Sequence, residues 1–219
     1  MIFSAGYTNT SGTFTGGAAT IGAGQTVTAT NAMSFAALVN SGDLTISGAG
    51  GVTSTTGISS VGGNLTVSSG SLLTMGAGNF TVTGTTSLVG GFTDNSNTGV
   101  TTFTGLVTQT GGPFTSTIVT TAGRMVFNGG YTNTSGVFTA GIATIAAGQT
   151  LTATTAMSFA GAVTASGSLI ISGAGGVTLS GGNSTVATNL TVSSGSSLTV
   201  SSAGTFGVTG TTSLVGDFT

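Results

Sequence analysis

The chain writes nearly the same text twice. Residues 6–36, GYTNTSGTFTGGAATIGAGQTVTATNAMSFA, return as residues 130–160, GYTNTSGVFTAGIATIAAGQTLTATTAMSFA, so that Tyr7 answers Tyr131 and Met33 answers Met157, each pair 124 positions apart. Met1-Ile2-Phe3 answers Met125-Val126-Phe127 at the same offset. Asn64-Leu65-Thr66-Val67 returns at Asn189-Leu190-Thr191-Val192, now 125 on, and Gly84-Thr85-Thr86-Ser87-Leu88-Val89 at Gly210-Thr211-Thr212-Ser213-Leu214-Val215, 126 on. Two single-residue insertions explain the drift, and the Gly/Ser/Ala-rich text places them near Ser166 and near Ala203. Insertions collect in loops, so the copied text between them is read as ordered structure.

The unit is residues 1–93 as copied text and 94–124 as the remainder, with 125–219 a second, partial copy in which Thr219 answers Thr93. This is expected to be one continuous repeat array. The polar capping repeats that close such arrays are not recognisable at either end, and a segment of a longer polypeptide is expected.

Period within the unit identifies the secondary structure. Thr26-Val27-Thr28-Ala29-Thr30, Leu44-Thr45-Ile46, Leu65-Thr66-Val67, Phe80-Thr81-Val82 and Leu198-Thr199-Val200 alternate apolar with Thr. In a strand that alternation buries one face and presents hydroxyls on the other, and Thr and Val both favour strands. Between these bursts lie Gly/Ser/Asn clusters of the kind that turn corners. No helical period is found, and Gly at 41 positions would penalise helix interiors repeatedly.

The apolar centres Val27, Phe35, Leu44 and Val52 are spaced by 8, 9 and 8, and Leu65, Leu73, Phe80 and Leu88 by 8, 7 and 8. Strand plus corner therefore takes about eight residues, and two or three such pieces make a coil of roughly 16 to 25 residues. The expected fold is all-β, a parallel β-solenoid with Gly/Ser/Asn-rich corners. At about 20 residues per coil the 124-residue unit is about six coils, near 29 Å of axis. Tandem β-sandwich domains are the alternative, since they too show short strands and frequent turns.

Composition excludes whole classes of function. Three Asp (Asp43, Asp94, Asp217) and one Arg (Arg124) are the only charges, and Lys, Glu, His, Cys and Trp are absent. A Ser-His-Asp or Cys-His arrangement has no base to work with. Acid–base hydrolysis would need clustered carboxylates, and the three Asp are far apart in sequence, read as solvated turn residues. One Arg cannot neutralise a phosphate backbone, so nucleic acid is not an expected partner. Gly48-Ala49-Gly50-Gly51 is followed by no Gly-Lys-Ser/Thr and is read as a corner, not a phosphate cradle. Asp94-Asn95-Ser96-Asn97 is the best local calcium candidate but lacks the Gly/Asp rhythm of calcium-binding rolls. No catalytic, cofactor or metal residue is assigned, and no cofactor is expected.

No apolar run reaches the length of about 18 residues that a spanning helix needs. Met1 is followed by neither a basic region nor a long apolar block, so any secretory signal is expected outside these residues. Asn9, Asn64, Asn79, Asn133, Asn183 and Asn189 open Asn-x-Ser/Thr triplets, which arise easily in so Thr-rich a chain. Asn at solenoid corners can also serve in stacked ladders.

The phrases Gly63-Asn64-Leu65-Thr66-Val67-Ser68-Ser69-Gly70, Gly78-Asn79-Phe80-Thr81-Val82-Thr83-Gly84 and Ser166-Gly167-Ser168-Leu169-Ile170-Ile171-Ser172-Gly173 resemble the β-strand repeats of large bacterial surface proteins. The likeness is to filamentous-haemagglutinin-type adhesins and autotransporter passenger domains, and it extends over essentially the whole chain. It implies a right-handed parallel β-helix in an extracellular stalk, fibre or adhesin, without enzymatic activity in the stalk.

The near absence of charge and the high-fidelity repeat depart from that pattern and favour a filament component at the cell surface. Its expected partners are copies of itself, joined end to end or laterally, with a surface or glycan ligand as the adhesin alternative. A further alternative is an ice-binding β-helix, suggested by Thr13-Phe14-Thr15, Thr26-Val27-Thr28, Thr28-Ala29-Thr30 and Thr81-Val82-Thr83. Against it, these pairs recur at uneven intervals along the sequence.

Overall fold

A computed structural model describes the chain except residues 57, 58, 97, 117–123, 202 and 203. Leu65–Val67 shows the local logic at its smallest: Leu65 and Val67 are fully buried, while Thr66 between them points outward and is half-buried. The same buried–outward–buried pattern recurs in strand after strand, and no helix occurs among the described residues. Each strand pairs in parallel with its equivalent one coil away, so the chain is a parallel β-solenoid of about ten turns. That stacking overturns the β-sandwich alternative, whose sheets are antiparallel.

Three ladders run along the axis. The first holds eleven strands among the described residues, from Tyr7–Asn9 to Thr211–Leu214. The second runs through Val52–Ser54, Leu72–Met75 and Gly91–Asp94 to Asp217–Phe218, and the third from Ile2–Phe3 through Ser59–Val61 and Phe80–Val82 to Phe206–Val208. Near the start the second and third are carried together by the unbroken strands Phe14–Ile21 and Met33–Asn40. Their counterparts in the second copy are each divided, as Phe138–Ala140 with Ala143–Ile145 and Met157–Phe159 with Val163–Ala165.

The pairing register gives the coil lengths directly. Along the first ladder Tyr7, Val27, Leu44, Leu65, Thr86, Val107 and Tyr131 stack in turn, at steps of 20, 17, 21, 21, 21 and 24 residues. The 124-residue unit is therefore six coils. The second copy continues through Leu151, Leu169, Leu190 and Thr212 at steps of 20, 18, 21 and 22, reproducing the first apart from the two insertions.

The first insertion sits not at Ser166 but slightly earlier. Phe35 answers Phe159, whereas Leu38 answers Val163, so Ala160-Gly161-Ala162 stands where the first copy has Ala36-Ala37. The extra residue lies between Met157–Phe159 and Val163–Ala165, which are one strand in the first copy, although the counterpart of Phe14–Ile21 is divided in the same way without any insertion. The second insertion, at Ala203, lies outside the described residues.

The interior is apolar, with an aromatic stack at its middle. Phe92, Phe103, Phe114, Phe127, Tyr131, Phe138 and Phe159 are at most 1% exposed. Their rings meet in sequence: Phe92–Phe114 at 4.9 Å, Phe114–Phe138 at 4.7 Å and Phe138–Phe159 at 5.0 Å, with Phe103–Phe127 stacked at 5.5 Å. Burying each such side chain contributes about 1.5–3 kcal/mol. Phe3, Tyr7, Phe14 and Phe35 form the matching cluster in the first copy.

Corners must bring the chain very close to the coil beneath. A Cβ on Gly48 would lie 1.5 Å from the Thr30 carbonyl oxygen, and one on Gly173, its counterpart, 1.5 Å from that of Thr154. No other residue fits between these layers.

Candidate functional site

The residues that could carry chemistry are held apart by the three ladders. Asp43 is exposed at a first-ladder corner and Asp217 is exposed in the last described strand, whereas Asp94 lies inside the second ladder, fully buried. The expectation of three solvated turn aspartates is thus corrected for Asp94. Its strand runs one residue past Thr93, so the side chain turns inward between Met75 and Ser116 on neighbouring coils. There the carboxylate accepts hydrogen bonds from the Ser96 amide at 2.9 Å and the Thr101 hydroxyl at 2.5 Å. Charge-assisted bonds of this kind offset the cost of burial.

No group of three Asp, Glu, His or Cys capable of holding a metal exists among the described residues. Of the calcium candidate, Asp94 and Ser96 are buried, Asn95 is exposed and Asn97 lies outside the described residues. Gly48-Ala49-Gly50-Gly51 is a corner, with Gly48 and Gly50 pressed against Thr30 and Ala32 of the coil below. A surface groove beside Ser69, Ser71, Leu72, Val89 and Pro113 carries no titratable side chain.

Among the described residues, segment 94–124 buries Asp94, Ser96, Thr101, Gln109 and Ser116. Gln109 is fully buried in the first ladder and donates through Nε2 to the carbonyls of Gly112 at 2.7 Å and Val137 at 3.2 Å, while its Oε1 accepts from the Tyr131 hydroxyl. Burial holds the Tyr131 phenol well above its usual pKa. The sequence signal for Gln109 is its place two residues after Val107, which puts it on the buried face of an alternating strand despite its polarity.

The Asn-x-Ser/Thr triplets divide in two. Asn9 and Asn133 face the interior at 5% and 0% exposure, where the folded chain has no room for a glycan. Asn64, Asn79, Asn183 and Asn189 are exposed at corners. Asn64 Oδ1 accepts from the Thr85 amide at 2.9 Å, Asn79 Oδ1 from Val100 at 2.8 Å and Asn183 Oδ1 from Thr205 at 3.0 Å, each one coil further on. Asp43 does the same for the Asn64 amide at 2.7 Å. Corner Asx residues therefore clip coil to coil through the backbone instead of stacking amide on amide.

What the fold does assemble is hydroxyls. On the second ladder the outward residue of each strand is Thr15, Ser34, Thr53, Thr74, Thr93, Thr115, Thr139, Ser158, Thr178 and Thr199 in unbroken register. Thr219 completes the column, its hydroxyl 3.3 Å from that of Thr199. The first ladder carries a similar column, Thr8, Thr28, Thr45, Thr66, Ser87, Thr108, Thr132 and Thr152, interrupted next by Ile170. The uneven sequence intervals between these threonines come from corners of different length, and in space they recur once per coil.

Fold and surface together define a parallel β-solenoid repeat protein. No protein-family model, no curated protein and no solved structure matches the chain.

Proposed function

We propose that the chain is a structural, non-enzymatic segment of an extracellular fibre or surface filament, built by stacking β-coils. The observation that carries this reading is the six-coil superrepeat: both copies continue the same three ladders without a break. Interior coils are paired on both sides, and only the edge of an end coil is left open to template further pairing. The same residue type changes environment only with the presence of a neighbour. Phe92 is fully buried between two coils, while Phe218, its counterpart in the last coil, is 47% exposed.

The near absence of charge supports the same reading, since little electrostatic repulsion opposes association. Electron microscopy of native material tests it. Filaments one solenoid wide, with a coarse axial period near 29 Å, are expected. Discrete short rods that stay apart at all concentrations would remove the filament reading and leave that of an adhesin stalk.

A further inference from the structure

We infer that the second face of the solenoid is an ice-binding surface. Its eleven-position column holds nine threonines and two serines, Ser34 and Ser158, with no apolar or charged interruption. Parallel pairing spaces successive members by about 4.8 Å, over about 48 Å of length. That spacing is close to the shorter lattice repeat of ice.

Threonine in a strand is stiff about χ1. Hydroxyl and methyl therefore keep fixed places on each rung, and the column presents a repeating donor–acceptor and apolar pattern to water instead of a mobile fringe. A surface that holds water at lattice intervals is a template onto which ice can fit.

The surroundings of the column suit the same partner. Two residues after its members, among the described residues, stand Gly17, Ala36, Thr55, Gly76, Asn95, Gly141, Ala160, Ser180 and Ser201, none of which has a long side chain. Two residues before them, Asp217 in the last coil is the single charge. Charged groups order water about themselves in their own geometry, and along nearly the whole column none is present. No aromatic residue stands at these flanking positions, which leaves no platform for stacking a sugar ring. The first face is a poorer candidate because Ile170 breaks its column.

The test is thermal hysteresis and ice-crystal shaping by the purified chain, with adsorption of fluorescently labelled chain to a growing single crystal as a second readout. Hysteresis, faceted crystals and adsorption are expected. The double variant Thr74→Lys with Thr115→Lys is expected to lose all three while keeping the far-ultraviolet circular dichroism of the parent. The first-face control, Thr66→Lys with Thr108→Lys, is expected to keep them. Should the lysine pair fail to fold, Thr93→Tyr supplies a single blocking side chain on the same column. Absence of hysteresis in the parent overturns the inference, as does equal loss in the first-face control. Second-face variants that only dissolve lateral bundles, with no effect on ice, would assign this face to self-association instead. Filament formation is read separately by sedimentation, so failure here leaves the proposed assembly untouched.

Discussion

Single residues in this solenoid differ in cost according to whether a coil lies on both sides. Phe114 touches Phe92, Phe103, Phe127, Tyr131 and Phe138, and Phe114→Ala is expected to cost about 3–5 kcal/mol in denaturant unfolding. Glycines separate in the same way. Gly173→Ala would drive a methyl onto the Thr154 carbonyl, while Gly17→Ala meets nothing within 4 Å. The first is expected to lower the unfolding midpoint sharply and the second to leave it near the parent's.

Tyr131 adds a pH dependence of known sign. Its folded pKa is raised by burial, so the neutral phenol stabilises the fold fully below the unfolded value of about 10 and that stability drains away as pH rises beyond it. Alkaline unfolding monitored by tyrosinate absorbance should show Tyr131 ionising only as the chain opens. Tyr131→Phe should remove that step, at the expense of leaving Gln109 Oε1 without this donor.

At the scale of strands and corners, the two copies are a natural insertion experiment. The chain accepts one added residue at Ala160-Gly161-Ala162, between Met157–Phe159 and Val163–Ala165, with both flanking strands keeping their pairing partners one coil away. Inserting Gly between Ala36 and Ala37 is accordingly expected to preserve stability. Inserting it between Leu44 and Thr45 reverses the faces of everything after it in the strand and should unfold the neighbouring coils, as hydrogen exchange would report.

Much of this element structure was legible in the sequence. Alternation identified the strands, even eight-residue spacing gave about 20 residues per coil, and the repeat gave six coils per unit. The hydroxyl columns were hidden, because corners of unequal length scramble the sequence interval while the ladder keeps the spatial one. Asp94 and Gln109 stand two residues after Phe92 and Val107, so alternation places both inward, and their polarity disguised that placement.

For the molecule as a whole, resistance to proteolysis follows from the same ladders. Arg124 is the single tryptic site, and it lies in Arg124–Phe127, paired to Val100 of the previous coil. Folded chain is expected to survive trypsin intact, whereas unfolded chain should give only fragments 1–124 and 125–219. Rapid cutting of the folded chain would show that this strand is not held as described.

Coils stacked without interruption along one axis have a defined diffraction signature, and the proposed filament adds a six-coil surface period. X-ray fibre diffraction from oriented native material tests this stacking most directly. A meridional reflection at about 4.8 Å, from strands stacked along the axis, is expected together with a coarse order near 29 Å. A 4.8 Å reflection on the equator, or material that will not orient and shows no long period, would contradict it.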